Sequence, residues 1–295
     1  MLSILIPTYN YSAYPLVEEL YNQCVEAKIV FEIIVLDDGS TDFLLENNDI
    51  NGFENCRLEK NKINLGRSKT CSFLVQYSKY DCLLLMDCDT FPKDNLFISN
   101  YLKMISDDYE IYFGGIAYKR QRPENNKILR WKYGINREEI NICKRIKKPY
   151  STTLTSNILF KKQIFDKVKF NEQIVSYGYE DLVFVQNLKS LNYKISHIEN
   201  STFHLNYETS EVFLNKTKQA LKTLYFIEKN KILIISETKI QKYFGLIKKL
   251  KLNSIVNFLF KKFNAKAEKN LTSKNPSLFV FDLYKLGYFC SLKSK

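Results

Sequence analysis

The chain has 295 residues, 45% of them hydrophobic, with 20 tyrosines, 21 phenylalanines and a formal net charge of +12. That length and apolar content exclude a disordered chain and leave room for one large α/β domain or two small ones. The charge is concentrated late: from Lys239 to Lys295 thirteen lysines stand against Glu268 and Asp282, so the rest is nearly neutral, which excludes a nucleic-acid-binding body.

Leu2 to Ile6 is a short apolar strand, stopped by Pro7-Thr8-Tyr9-Asn10. The chain runs into it without a basic leader or an apolar stretch of signal-peptide length, from which a cytoplasmic protein is expected. A helix is predicted from about Pro15 to Ala27, with Leu16, Leu20, Tyr21 and Cys24 on one face. Phe31 to Leu36 is a second continuous apolar strand, ending in Asp37-Asp38-Gly39-Ser40. Strand, helix and strand at this spacing make a βαβ unit with parallel strands. A weaker strand at Cys56 to Glu59 precedes Asn64-Leu65-Gly66-Arg67-Ser68 and an amphipathic helix through about Gln76.

Leu83-Leu84-Leu85-Met86 reads as a strand covered on both faces, and it ends in Asp87-Cys88-Asp89. In extended backbone Asp87 and Asp89 point the same way and repel unless a cation joins them, and oxygen ligands of this kind suit Mg or Mn. Taken singly, each acidic or polar strand end is also an ordinary turn. Together, three tips along one edge of one sheet form a nucleotide site without the Gly-rich dinucleotide or P-loop motifs. An acid at such a tip suits a uracil N3–H or a ribose hydroxyl, and Arg67 suits the base or a phosphate.

A helix near Pro92 to Ile105 and a strand near Ile111 to Ala117 are expected to continue the sheet. Tyr118 to Pro149 is rich in Lys and Arg, and reads either as a solvated face or as a mobile loop over the nucleotide site that meets an anionic ligand. Ser156 to Phe160 is a strand and Lys161 to Val168 a short helix; Gly178 then precedes a helix opening with Glu180-Asp181. Acids in a first turn suit the helix dipole, and equally suit a general base. Tyr193 to Ile198, with His197, is a further strand, followed by a turn at Asn200-Ser201-Thr202 and by His204. Helices are predicted over Glu208 to about Lys229 and Lys239 to Phe263, then a linker from Lys266 to Pro276 and an apolar element from Leu278 to Tyr288. The basic amphipathic helix either lies on an anionic membrane surface or covers the α/β domain. No run of about 18 apolar residues predicts a transmembrane helix. Seven cysteines without a CxxC pair suit a reducing compartment.

Four ordered blocks, SILIPTYN, VLDDGSTD, NLGRSKT and LLLMDCDTFP, resemble the nucleotide half of the family 2 glycosyltransferases over about residues 1–118. The likeness resumes at Thr155 to Phe160 and runs through Tyr177-Gly178-Tyr179-Glu180-Asp181 to Phe203-His204. The resemblance implies an α/β GT-A (Rossmann-like) fold: a mixed, mostly parallel central sheet flanked by helices, with a C-terminal helical extension. It implies a glycosyltransferase domain over 1–230 (nucleotide-sugar half 1–118, acceptor half 119–206) and a basic helical region over 231–295. The implied activity is metal-dependent, inverting transfer from a UDP-sugar to a glycan or lipid-linked acceptor, in surface polysaccharide synthesis at the inner face of a membrane. Rival readings are a sugar-phosphate nucleotidyltransferase and a nucleotide-sugar-binding protein without activity. Carried onto this sequence, Pro7, Thr8, Tyr9, Asp37, Asp38, Arg67 and Asp87 look like donor contacts. Asp87, Asp89 and His204 look like ligands of Mn or Mg, Asp181 like the catalytic base and Glu180 like an acceptor ligand. One departure is Lys69-Thr70-Cys71, where relatives often carry an Ala-Arg-Asn-like run.

Overall fold

The structure, a computed structural model, describes residues 1–105, 110–233 and 238–293. The chain divides into two compact units, one of Met1–Lys119, Arg137–Val175 and Glu180–Asn206, the other of Arg120–Asn136, Ser176–Tyr179 and Tyr207–Lys295.

The first unit is built on a seven-stranded sheet. Its strands are β1 (Leu2–Thr8), β2 (Phe31–Asp37), β3 (Cys56–Lys60) and β4 (Cys82–Met86), then β6 (Ile111–Phe113), β8 (Asn157–Lys161) and β9 (Ile195–His197). A small second sheet holds β5 (Thr90–Pro92), β7 (Ile116–Ala117) and β10 (Thr202–His204). The large sheet runs β3-β2-β1-β4-β8-β6-β9, and only β8 opposes its neighbours. The apolar runs of β1, β2 and β4 have the reason expected: both faces are covered. Ile4, Ile6, Ile33, Val35, Leu84 and Met86 face the helices Tyr14–Glu26 and Phe97–Met104. Leu5, Ile34, Leu36, Leu83 and Leu85 face the helices Arg67–Tyr77, Lys162–Lys167 and Glu180–Ser190. Each such residue removed from water contributes roughly 1.5–3 kcal/mol, and the period of two divides them between two cores.

Several expectations change. The segment from Thr90 to Pro92 is a strand, and the helix starts only at Phe97. Its reason is pairing: β5 lies antiparallel to β10, a partner more than 100 residues away. The basic stretch from Tyr118 to Pro149 keeps most of its Lys and Arg exposed, as a solvated face does, but it is not one irregular loop. It forms the helices Ile128–Tyr133, Ile142–Lys147 and Pro149–Thr152 with a π-turn at Gly134–Glu138. Arg145 is buried and donates to the carbonyls of Ile140, Phe113 and Ile198, so this cation holds backbone rather than ligand.

The second unit packs the helix Leu278–Leu292 against Ser210–Lys229, with Phe213, Leu214, Leu221 and Leu224 meeting Phe281, Tyr284 and Phe289. The helix expected over Lys239 to Phe263 is two, Lys239–Lys249 and Asn253–Leu271. Lys251 between them adopts φ 58°, and the Leu252 amide donates to the Ile247 carbonyl, a left-handed helix stop that hydrophobic periodicity does not reveal. The expected linker is helical as far as Leu271, because Leu271 is fully buried and anchors that last turn. No described helix is long and apolar enough to cross a membrane.

One buried charge braces the sheet. Glu32 on β2 accepts from Ser3 Oγ at 2.6 Å, Arg57 Nη1 at 2.7 Å and the Lys79 amide at 2.5 Å. Burial acts to raise its carboxyl, but the Lys79 amide, Ser3 and Arg57 together hold it below the usual glutamate range. A lowered carboxyl stabilises the fold above the unfolded-chain value and loses that contribution as pH falls through the folded one. Glu32→Gln is therefore expected to lose about 1–3 kcal/mol at pH 7. In urea titrations the deficit should shrink as pH falls below the ordinary glutamate range; a deficit independent of pH would contradict this role.

Candidate active site

The site lies at the C-terminal ends of β1, β2 and β4, where open α/β sheets bind ligands. Asp37 ends β2, Asp38 follows it, and both are buried. Asp37 Oδ1 accepts from the Ser40 amide at 2.9 Å. Asp38 accepts from Asn61 Nδ2 and the Leu65 amide on Oδ1, and from the Gly66 amide on Oδ2 at 2.8 Å. Both Asp38 oxygens thus hold the 61–66 loop. Gly66 has φ 87°, and a Cβ there would lie 2.8 Å from the Val175 carbonyl oxygen, so both conformation and space require glycine. Thr8 is buried with its hydroxyl donated to the Tyr11 carbonyl, Pro7 is inside β1, and Tyr9 is 51% exposed.

That loop delivers Arg67 at the start of its helix. Its Nη2 lies 2.6 Å from Asp87 Oδ1 and its Nη1 3.0 Å from Asp181 Oδ1, joining residues far apart in sequence. Burial works against the Arg67 cation, but the carboxylates, Asp87 first and then Asp181 and Glu180, prevail and raise it well above its ordinary value. Thr155, just before β8, donates its hydroxyl to Asp181 Oδ1. Its neighbour Glu180 differs: Oε2 is buried and has no hydrogen-bond partner among the described residues. Burial and then the Asp181 charge push the Glu180 carboxyl up to about 7.

Asp87 and Asp89 lie in a turn and not, as expected, along an extended strand. β4 ends at Met86, and the residues after it form a turn closed by the Thr90 amide and hydroxyl on the Asp87 carbonyl. Asp87 accordingly faces Arg67, while Asp89 Oδ2 stands 3.5 Å from His204 Nε2. Register brings the last pair together, since His204 on β10 pairs with Thr90 on β5 and the Leu205 amide donates to the Asp89 carbonyl. Burial, more than the Asp89 and Asp181 charges, raises the Asp87 carboxyl despite Arg67.

The residues fit a divalent ion. An imidazole and a carboxylate at 3.5 Å, with Asp87 two residues away in the same turn, form a donor set suited to Mn or Mg. Among the described residues no group of three or more His, Cys, Asp or Glu is placed to hold an ion unaided, so ligand oxygens would have to complete the shell.

Sequence reading missed three residues here. Tyr118 stacks on His204 at 5.5 Å between ring centroids and donates its hydroxyl to Glu138. Tyr11 is pushed up to about 12 by burial and by the Asp89 charge. Thr155, noted only as the start of a block, meets Asp181. None carries a local signal, since each acquires its partner through folding.

An α/β sheet of this order with acids at its strand ends defines a GT-A fold. The profile described as glycosyl transferase family 2 matches residues 3–169, more than half of the chain, and the protein belongs to that family. Among solved structures, S. aureus TarS 1–349 is 16% identical with a TM-score of 0.51, covering 99% of this chain and 90% of that one. In the longer TarS crystal structure the match covers 97% of this chain and 54% of that one. The Pyrobaculum calidifontis mannosyltransferase PcManGT, in complex with GDP-Man and Mn2+, is 11% identical with a TM-score of 0.55 over 100% and 87%. Glucosyl-3-phosphoglycerate synthase from Mycobacterium tuberculosis, in complex with Mn2+, UDP and glucosyl-3-phosphoglycerate, is 16% identical with a TM-score of 0.50 over 76% and 78%. At such identities these likenesses establish the fold alone. No curated protein sequence matches the chain.

The raised Glu180 carboxyl yields a prediction. Its ionised form is penalised in the fold, so stability falls as pH rises from the ordinary glutamate range through about 7. Glu180→Gln removes the penalty and is expected to raise the melting temperature at pH 8, with the gain fading by pH 5. Scanning calorimetry across that range checks it, and a gain largest at acid pH would refute the assignment.

Proposed function

We propose that this chain transfers a sugar from a nucleoside-diphosphate sugar, with uridine as the base, to a hydroxyl of a glycan or lipid-linked acceptor, inverting the anomeric centre. The observation carrying this reading is the Asp89–His204 pair beside Asp87 at the C-terminal edge of the parallel sheet, in a family whose structural neighbours include complexes with UDP and with GDP-Man. Asp89, His204 and Asp87 would hold Mn or Mg, which when bound neutralises charge on the leaving diphosphate. Tyr118, packed flat on His204, fixes the imidazole plane. Tyr9, exposed at the end of β1, is suited to stack on the base. An acceptor of this kind puts the work at the cytoplasmic face of a membrane.

In the transfer, an acceptor hydroxyl oxygen forms the new bond to the anomeric carbon. The bond from that carbon to the diphosphate breaks, the departing oxygen keeps the electron pair, and the hydroxyl proton passes to a carboxylate. We assign that proton to Asp181, with Arg67 as its regulator. In the structure Asp181 Oδ1 is engaged by the guanidinium and by the Thr155 hydroxyl. A bound diphosphate competes for Arg67, and its departure from Asp181 frees that oxygen to meet the acceptor hydroxyl. Glu180 is the rival supported by a specific observation, an unpartnered oxygen and a carboxyl raised to about 7.

Thermal shift with UDP, GDP and their sugars, with and without Mn, tests the donor reading, because a ligand of the folded state raises stability by mass action. UDP with Mn is expected to give the largest shift, and Asp89→Ala to abolish its Mn dependence while leaving the unliganded melting temperature nearly unchanged. A Mn-dependent shift of full size in Asp89→Ala and in His204→Ala would remove the metal assignment. For the base, Asp181→Asn should lower kcat about 100-fold or more with little change in donor affinity. A near-normal kcat there, with collapse in Glu180→Gln, transfers the role to Glu180.

A further inference from the structure

The helices Lys239–Lys249 and Asn253–Leu271 carry an outer face that nothing in their own unit covers. Phe260 fixes which side of the second helix is inward, since its ring packs on Tyr284 at 5.5 Å and on Tyr288 at 6.2 Å between centroids. At 100° per residue, Ile255, Phe258 and Leu259 then fall on the outer half, with Phe258 64% and Ile255 55% exposed, and Phe263 at the flank of that face is still 49% exposed. The first helix repeats the pattern with Leu246 and, just past its end, Leu250, both more than half exposed. Isolated exposed apolar residues need no explanation, but a stripe sustained over two successive helices does.

Charge says what covers it. From Lys239 to Leu271 the sequence has nine lysines and one acid, Glu268. That acid is occupied inside the unit, accepting from the Tyr284 hydroxyl at 2.6 Å and pairing with Lys218 at 2.8 Å. The outer stripe therefore offers Phe, Leu and Ile among lysines, the one carboxylate of the two helices being engaged inside the unit. A second copy of the same face would set lysine against lysine, which disfavours self-association. No described helix is long and apolar enough to cross a bilayer. Apolar side chains inserted to headgroup depth, with ammonium groups reaching anionic phosphates, satisfy both features of the stripe.

We propose that helices Lys239–Lys249 and Asn253–Leu271 form an interfacial docking face for an anionic lipid bilayer. The residues of the face belong to the second unit and the donor-site residues to the first.

The test is flotation of the full chain with phosphatidylcholine vesicles, with and without phosphatidylglycerol, across a salt series. The chain is expected to float with phosphatidylglycerol vesicles at low salt, to lose binding as salt rises and to ignore pure phosphatidylcholine. Phe258→Glu with Phe263→Glu should abolish flotation. Lys261→Glu with Lys262→Glu should weaken it about 25-fold or more, since each lysine near an anionic surface contributes about a factor of five. All four positions are exposed or half-buried, so melting temperature and the nucleotide-induced shift should be unchanged, and that shift separately reports whether the donor reading holds. Failure of the full chain to float at low salt overturns the proposal, as does flotation of the phenylalanine variant at the wild-type level. A concentration-dependent dimer in light scattering that Phe258→Glu dissolves, without lipid binding by the intact chain, would assign the face to a second copy instead.

Discussion

Arg67 stands between two carboxylates from distant parts of the chain, Asp87 at 2.6 Å and Asp181 at 3.0 Å, with Glu180 close enough to add its charge. Remove the guanidinium and three acids remain at one sheet edge with mutual repulsion and nothing to offset it. The side chains of Arg67, Asp87 and Asp181 keep between 22% and 30% of their exposure, so solvent screens the pairs and their net worth is below that of a sealed ion pair. Their importance is geometric. Because Asp87 turns to Arg67, Asp89 is left to His204, and the two aspartates of one turn serve different partners.

The arginine is itself placed by an acid. Asp38 accepts the Leu65 and Gly66 amides, which fixes the loop immediately before the helix. Gly66 supplies the left-handed turn and the clearance to Val175 that let this helix begin where it does. A carboxylate at the tip of β2 thus acts on the site through backbone it holds, two residues from the cation that organises the acids. Cys71 lies one helical turn beyond Arg67, fully buried, with its thiol pushed up to about 12 by burial although the Arg67 charge opposes this. The departure at Lys69-Thr70-Cys71 leaves Arg67 as the guanidinium that this helix turns toward the acids.

The second unit divides its apolar residues between two tasks. Phe281, Tyr284 and Phe289 of Leu278–Leu292 are buried against Ser210–Lys229 and Asn253–Leu271. Tyr243, Leu246, Phe258 and Phe263 are left on the surface of a region with few acids. Composition alone does not separate these groups, since both are Phe- and Leu-rich. Helix phase separates Phe258 from Phe260, which packs inward on Tyr284.

What the sequence determined by itself was everything carried by neighbours in the chain. Uninterrupted apolar runs in β1, β2 and β4 marked strands buried on both faces, and their polar ends marked the edge where the acids gather. Ordered blocks from SILIPTYN to Asp181 were enough to indicate the family, because motif spacing survives in one dimension. The tertiary structure alone decided who meets whom. The Arg67–Asp181 contact spans 114 residues, Asp89 meets His204 only because β5 and β10 pair in one register, and Tyr118 covers that imidazole from a third strand end. The turn that parts Asp87 from Asp89, the burial of Arg145 within a basic stretch and the left-handed stop at Lys251 belong to the same class. Hydrophobic periodicity records which face of an element is buried, whereas the partner of a charge depends on the register of strands and helices brought together from afar.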